Sequence, residues 1–219
     1  MSSLGILVGP GVVRAGCVEG LRAFAHRVGC GVVNTWGAKG VFRWDDPFHF
    51  GTAGLQARDF ELAGFGDVDV LVTAGLDADE VTSRPWEGRA EVIDIAPEDL
   101  AVAGLVLPAG TLDRPALYTV LAAVIGPMYE RPGSPPARAA ALAAELPDDG
   151  VVVAEPGLVG FWIARTFPTI RPGSIRVTTQ AVAGPSVVRV CDGDWGDIDL
   201  DPSALVAVAG EIVAWGGLP

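Results

Sequence analysis

The chain has 219 residues, of which half are hydrophobic and 19% are charged, as in a folded globular protein. Its formal net charge of −12 argues against nucleic acid and membranes as partners, because the summed field repels polyanions. Every apolar run is too short for a membrane-spanning helix, and no signal-peptide pattern precedes the first strand, so we expect a cytoplasmic protein. Three cysteines without CxxC spacing and only two histidines predict no metal site.

Residues 1–126 alternate between short apolar runs and helical patterns, which predicts a parallel sheet with crossover helices. The apolar runs predict strands over residues 4–8, 31–34, 68–74, 91–95 and 105–108. Apolar residues at helical spacing predict helices over residues 18–28 and 114–125, the second with Asp113 as its N-cap. The segment 35–66 is rich in glycine and aromatic residues, and we expect loops and a short helix there.

A proline-rich segment, residues 127–136, is the clearest boundary in the sequence, and we predict that it is a linker. Beyond it, residues 137–219 predict a short second α/β unit with helices over 137–145, 158–167 and 203–215 and strands over 151–154, 175–179 and 187–190. The predicted fold class is therefore α/β: a doubly wound, Rossmann-like, three-layer α/β/α domain with a parallel sheet of about six strands, followed by the shorter unit.

Two polar or glycine-containing turns follow the first two predicted strands, at the sheet edge where open α/β folds bind ligands. Gly9 and Gly11 flank Pro10, and such a turn either lets a phosphate approach the backbone or is only a turn. After the second strand come Thr35 and Lys39, the only lysine of the chain, which either contacts a ligand or lies in solvent. The residues alone leave both alternatives open at each turn.

Carboxylates follow the third and fourth predicted strands. The run Asp77-Ala78-Asp79-Glu80 could bind a metal or a ribose hydroxyl, but we favour a solvated turn, because these charges repel phosphate. Asp94 has a position that suits an adenosine ribose, or else it caps a helix. We interpret His49, which lies among aromatic residues, and the acidic segment 191–197 as structural.

The order of these motifs is more specific than any one of them. They follow one another as Gly9-Pro10-Gly11, residues 35–40, Pro47-Phe48-His49-Phe50-Gly51, Gly54-Leu55, Gly75 and Ile93-Asp94-Ile95. Over residues 3–126 the chain resembles the central domain of acetolactate synthase-like thiamine diphosphate (ThDP) enzymes. From Val152-Val153-Ala154-Glu155-Pro156-Gly157 to about residue 184, it resembles the start of that family's C-terminal pyrophosphate-binding domain.

The resemblance implies a Rossmann-like domain whose relatives bind FAD or ADP, so a FAD or ADP-like nucleotide is the expected ligand class, without a decision between the two. Carried over by position, the ligand-facing residues are Gly9, Gly11, Thr35, Lys39, Gly54, Gly75 and Asp94. The acidic residues 77–80 depart from the basic character of FAD-binding relatives, which disfavours a dinucleotide.

The chain also departs from the family in its catalytic machinery. The family's first domain, which supplies the glutamate that activates the cofactor, has no counterpart in the sequence. Asp192-Gly193-Asp194 resembles half of the family's metal and diphosphate motif, but the Asn-Asn pair that completes it does not follow. We therefore expect neither ThDP nor Mg²⁺ to bind, and we assign no catalytic residue to this chain alone.

Three functions stay open. The first, which we favour, is a non-catalytic nucleotide-binding or structural module in a homo-oligomer, as implied by the oligomeric relatives. The second is one subunit of a split ThDP-dependent enzyme, with the missing machinery on a second subunit. The third is an independent enzyme that uses the nucleotide cleft for another reaction.

Overall fold

The computed structural model of the protein describes residues 3–104, 110–111 and 113–213. The strands are β1 (Ser3–Val8), β2 (Val32–Thr35), β3 (His49–Ala53), β4 (Val70–Ala74), β5 (Glu91–Asp94), β6 (Gly110–Thr111), β7 (Val151–Ala154), β8 (Ile175–Val177) and β9 (Val187–Val190). The α-helices are α1 (Gly11–Arg14), α2 (Val18–Val28), α3 (Asp59–Leu62), α4 (Ala116–Tyr129), α5 (Pro135–Glu145), α6 (Leu158–Thr166) and α7 (Ser203–Ala209). Within these ranges, each helix is too short or too polar to cross a bilayer.

The first sheet has the strand order β3-β2-β1-β4-β5, and β6 pairs with the beginning of β1. All of its pairs are parallel. The chain starts at the central strand, moves outward to β3, and then returns to β4 and β5 on the other side. This reversal at β1 is the doubly wound, Rossmann-like arrangement, and the predicted fold class is confirmed.

Both faces of the first sheet are buried, because successive side chains of a strand point to opposite faces. On one face, Leu4, Ile6 and Val8 of β1 belong to the same apolar cluster as Phe24 of α2. On the other face, Leu7 belongs to a larger cluster that includes residues of α4 and α6. The sheet is thus the middle layer between two helical layers.

The second sheet has the order β8-β7-β9, again with parallel pairs. Its inner face, with Val152 and Ala154, belongs to the large cluster that contains Leu7 of the first sheet. Helix α6 lies in this cluster, and its residues from Val159 to Thr166 are all buried. The two sheets therefore share one continuous core, which makes their relative placement a consequence of apolar burial.

Strand β3 corrects the expectation that residues 35–66 form only loops and a short helix. Residues His49–Ala53 pair in parallel with β2, with a register shift between Val32 and Val33. The segment contains Gly51 and lacks the run of β-branched residues that normally indicates a strand. Its extended conformation comes from pairing with β2 and from burial, which local propensity does not report.

Half of the proline-rich segment is helical. Helix α4 extends to Tyr129 and α5 begins at Pro135, so only residues 130–134 separate the two helices. Ser134 accepts a hydrogen bond from the Ala137 backbone N–H, and Pro135 starts the helix, where a missing N–H has no partner to lose.

The start of α4 also differs from the sequence prediction. The helix begins at Ala116 with Pro115 at the N-cap position, so the prediction of Asp113 as N-cap was wrong. The strand predicted over residues 105–108 lies outside the described residues.

Candidate functional site

The first predicted site residues, Gly9, Gly11 and Gly75, meet where β1 and β4 end. The Gly9 N–H donates to the Ala74 carbonyl oxygen, and the Gly11 N–H donates to the Gly75 carbonyl oxygen at 2.8 Å. A Cβ atom on Gly75, which has a φ of +59°, would lie 2.6 Å from the Val12 nitrogen. These glycines therefore allow two turns to pack backbone against backbone.

Glu80 occupies the neighbouring end of β2. Its carboxylate accepts hydrogen bonds from the Thr35 hydroxyl and from the Gly37 N–H, the latter at 3.3 Å. Gly54, with a φ of +89°, lies directly against the Glu80 backbone carbonyl and leaves no room for a side chain. Thr35 thus binds the Glu80 carboxylate and Gly54 lies against the Glu80 backbone, so two more predicted site residues contact a residue of the protein itself.

The environment of Glu80 disfavours its negative charge. The side chain is only 4% exposed, and this burial raises its pKa from 4.5 to about 7, although the Thr35 and Gly37 hydrogen bonds oppose the shift. At neutral pH the group therefore exchanges between the neutral and the ionised form. Next to it, Arg14 forms a bidentate pair with Asp77, at 2.7 and 2.8 Å, so this guanidinium is already bound to a carboxylate.

A cavity of about 300 Å³, here named the strand-end cleft, lies at this edge of the first sheet. Its lining from the first half of the chain consists of Pro10, Arg14, Trp36, Gly37, Asp77 and Glu80, and residues between 175 and 182 close the opposite side. Asp94 does not line it; its carboxylate accepts a hydrogen bond from the Thr73 hydroxyl at 2.7 Å.

None of the seven predicted site residues lines the strand-end cleft, and Lys39 lies in a second cavity. Its ammonium group donates to the Ala164 carbonyl oxygen near the end of α6 at 2.9 Å. The side chain is 5% exposed, and burial, together with the charge of Arg165, lowers its pKa from 10.5 to about 7. The only lysine of the chain is therefore a buried amine that changes its charge near neutral pH.

The cavity beside Lys39, here named the Lys39 pocket, has a volume of about 540 Å³. Apolar and aromatic side chains of α4 and of the segment after α6 form most of its wall: Leu117, Tyr118, Leu121, Ile125, Tyr129 and Phe167. Its polar lining includes Lys39, His49, Thr52 and Arg165. A mostly apolar cavity with a few convergent polar groups is typical of a small-molecule site.

Arg165 is held in place by an ion pair inside the core. One of its terminal nitrogens lies 2.8 Å from an Asp59 oxygen, and both side chains are almost fully buried. The other terminal nitrogen donates to the Thr52 carbonyl oxygen. Its Nε has no hydrogen-bond partner among the described residues. Asp59 also accepts from the Leu55 and Gln56 N–H groups, so the pair fixes the loop before α3.

His49 adds a neutral group to the same pocket. Burial and the charges of Lys39 and Arg114 lower its pKa from 6.5 to about 3. Its Nδ1 atom is buried and has no hydrogen-bond partner in the described part of the chain. The imidazole is therefore uncharged at physiological pH, and its interpretation as a structural residue remains a prediction.

Comparison with known proteins now assigns the first half of the chain. Residues 3–105 match the family model described as thiamine pyrophosphate enzyme, central domain. This segment belongs to that family. A search of curated protein sequences found no match.

A solved structure shows that the likeness in fold extends further than the central-domain unit. The protein is from Mycobacterium smegmatis, is provisionally assigned as a thiamin diphosphate-dependent enzyme, and is 19% identical to this chain with a TM-score of 0.52. The alignment covers 81% of this chain, more than residues 3–105 account for, so it includes part of the second half. The chain corresponds to 38% of the length of that protein.

The acidic segment that follows β9 contains the carboxylates of Asp192 and Asp194. Asp192 accepts a hydrogen bond from the Val159 N–H at the start of α6, and Asp194 accepts one from the Cys191 N–H. Both carboxylates are thus engaged by the backbone. No cluster of three or more His, Cys, Asp or Glu side chains suited to a metal exists within the described ranges.

Three residues that shape the charges of the two cavities, Glu80, Asp59 and Arg165, are not among the predicted site residues. Glu80 was read as part of a solvated turn, whereas it is buried and hydrogen-bonded. Arg165 and Asp59 were not chosen as site residues. A usable signal was present for Arg165, because a single arginine in the otherwise apolar helix Leu158–Thr166 must be buried with a partner.

Proposed function

We propose that the chain is a non-catalytic structural module built on a thiamine pyrophosphate enzyme central domain. The observation that carries this proposal is the position of Glu80 at the end of β2. The Thr35 hydroxyl and the Gly37 N–H, which a phosphate at this edge would need, both donate to its carboxylate. An internal carboxylate thus takes the place of an anionic ligand.

Three other donors at this edge are engaged in the same way. Arg14 is paired with Asp77, and the Gly9 and Gly11 N–H groups donate to carbonyl oxygens of the neighbouring turn. A FAD or ADP-like nucleotide would have to displace these bonds and approach two carboxylates. Of the two roles expected for the module, the geometry therefore favours the structural one over nucleotide binding.

Thermal unfolding in the presence of ADP and of FAD tests this proposal. A ligand at 100 times its dissociation constant stabilises a protein by about 2.7 kcal/mol, which gives a clear rise in melting temperature. We expect neither compound to change the melting temperature of the wild-type protein. A saturable rise with either one would overturn the proposal and establish nucleotide binding.

Two variants test whether the Glu80 carboxylate is what excludes the nucleotide. Glu80→Ala removes the carboxylate that occupies the end of β2, whereas Asp79→Asn removes an exposed charge one residue away. If Glu80→Ala responds to ADP while the wild type and Asp79→Asn do not, the internal carboxylate is what excludes the nucleotide. If the wild type and both variants bind equally, Glu80 has no such role.

A second candidate function is a subunit of a split ThDP-dependent enzyme. It is supported by the alignment with the Mycobacterium smegmatis protein, which extends beyond the central-domain unit. The partner would carry the first domain and a complete metal and diphosphate motif. Co-expression with such a polypeptide, followed by light scattering, should give a stable heteromeric complex. A homo-oligomer or a monomer under these conditions would contradict this candidate.

A further inference from the structure

We propose that the Lys39 pocket binds a monocarboxylate with an apolar tail, with the carboxylate against Lys39 and the tail along α4. This site lies apart from the strand-end cleft, and the proposal does not depend on the function proposed above. The charges at one end of the pocket, its apolar wall and its volume support this assignment.

Two basic groups of the pocket, Lys39 and Arg165, differ in how their charge is compensated. Arg165 is neutralised by Asp59 at 2.8 Å. Among the described residues, no carboxylate lies within ion-pair distance of Lys39, whose bonded partner is the neutral carbonyl of Ala164. A buried ammonium without a counter-charge is unfavourable, and a ligand carboxylate would supply that charge.

The wall of the pocket selects the rest of the ligand. Leu117, Leu121 and Ile125 lie one helical turn apart on α4 and present an apolar surface along the cavity. Phe167 contributes from the segment after α6. A cavity of about 540 Å³ is within the range of small-molecule sites and accommodates a medium-length alkyl chain beside these residues.

The same features disfavour a phosphate. A phosphate ester carries up to two negative charges and several strong acceptor oxygens. In this pocket Lys39 is the one basic group without a carboxylate partner among the described residues, and the terminal nitrogens of Arg165 are already bonded. A single carboxylate matches the one available charge, and Arg165 Nε provides at most one further donor.

Binding of the carboxylate should be coupled to uptake of a proton. Because the free Lys39 amine has a pKa of about 7, a carboxylate that stabilises the ammonium form binds best below that pH. Other titratable or charged groups also face the pocket or its ion pair: His49 on β3, Asp59 on α3, Arg165 on α6, and Tyr118, Tyr129 and Glu130 on or next to α4. Of these, His49 has a pKa of about 3 and Tyr129 of about 12, so both stay uncharged between pH 6 and about 9.

Isothermal titration calorimetry with octanoate tests the proposal on the intact chain. We expect saturable binding at pH 6.5 and an affinity that falls by up to about tenfold per pH unit above pH 7. Titrations in buffers with different ionisation enthalpies should show net proton uptake at pH 7.5. Octanol, which has the same tail without the charge, should bind more weakly and without this pH dependence.

The matched variant is Lys39→Met, which keeps an unbranched side chain but removes the amine. It should lose at least tenfold in octanoate affinity at pH 6.5 and change octanol binding little. Arg176→Met, at an exposed position of β8, serves as the control. Circular dichroism verifies that each variant is folded. If Lys39→Met does not fold, proton uptake by the wild type decides the question.

Three results would overturn the proposal. The first is the absence of octanoate binding to the wild-type protein at pH 6.5. The second is equal octanoate affinity of the wild type and a folded Lys39→Met variant, which would leave Lys39 only its role as a bonding partner of the Ala164 carbonyl. The third is binding without proton uptake at pH 7.5, since the proposal places the carboxylate against an amine that is mostly neutral in the free protein at that pH.

Discussion

The strand-end cleft and the Lys39 pocket differ in how their charged groups are compensated. In the cleft, Glu80 meets two hydrogen-bond donors and Asp77 meets Arg14, so the protein's own carboxylates occupy the places of an anion. In the pocket, Lys39 is buried and its bonded partner is a neutral carbonyl. The carboxylates of the cleft are thus bonded to donors of the same chain, whereas the pocket lacks one negative charge.

This difference shows why position on a fold does not by itself identify a binding site. The cleft lies where open α/β sheets usually bind ligands, at the carboxyl ends of the strands. The Thr35, Gly37 and Arg14 donors at this edge, however, are already bonded to carboxylates of the same chain. The Lys39 pocket lies elsewhere, yet it combines an apolar wall with an uncompensated basic group, and these are the properties that a ligand recognises.

The largest expected effect comes from breaking the ion pair that neutralises one side of the Lys39 pocket. Asp59→Asn leaves Arg165 buried without its counter-charge, so the free energy of unfolding should fall by about 3–5 kcal/mol. Glu61→Gln, on the same helix, removes an exposed pair with Arg58 and should cost far less. Urea unfolding of the two variants and the wild type measures both values. Equal losses would contradict the assignment of a buried pair.

The next largest effect concerns the ionisation of Lys39 in the pocket. Because folding lowers the Lys39 pKa from 10.5 to about 7, the unfolded chain binds more protons between these pH values. The free energy of unfolding should therefore rise with pH across this window, by at most about 1.4 kcal/mol per unit from this group. Lys39→Met should remove that part of the slope in urea unfolding at a series of pH values. An unchanged slope would show that folding does not lower the pKa of Lys39.

Glu80 should give a smaller dependence of the opposite sign on the cleft side. Its pKa is raised from 4.5 to about 7 on folding, so the folded protein binds more protons between these values. The free energy of unfolding should then fall as pH rises through this window, by at most about 1.4 kcal/mol per unit. Glu80→Gln should flatten this fall, and the exposed Asp79→Asn control should not. If the two variants behave alike, Glu80 is not buried at the end of β2.

The smallest effect concerns the exposed part of the cleft. Arg14 and Asp77 form a bidentate pair, but the Arg14 side chain is 61% exposed. Arg14→Gln should therefore change the free energy of unfolding by less than about 1 kcal/mol, and high salt should reduce even this difference. A loss of several kcal/mol in urea unfolding would show that the pair is shielded from solvent.

Most of the fold could be predicted from the sequence because buried apolar residues recur with the spacing of a helix or a strand. The helix over residues 18–28 and the strands over 151–154 and 187–190 have the predicted bounds, since each is a clear apolar pattern. Strand β3 was missed because its residues have no strong strand preference and are extended through pairing with β2. The continuous core between the two sheets was also not predicted, since it depends on contacts between residues far apart in sequence.

The sites were only partly predictable, and for a physical reason. Family position placed Gly9, Gly11 and Gly75 at one sheet edge, where they do meet. It could not show that Lys39 turns away from that edge toward α6, because a side-chain direction depends on the packing around it. Neither could it show that Glu80 is buried, since the same acidic run is compatible with a solvated turn.

The pKa of Lys39 in the free protein tests the central claim most directly. Because Lys39 is the only lysine, the protein labelled with ¹³C at the lysine Cε gives a single lysine signal, and its shift against pH reports this amine alone. The structure predicts a midpoint of about 7. A midpoint near the ordinary value of 10.5 would mean that the amine is solvated or paired with a carboxylate, and the contrast between the two cavities would be wrong.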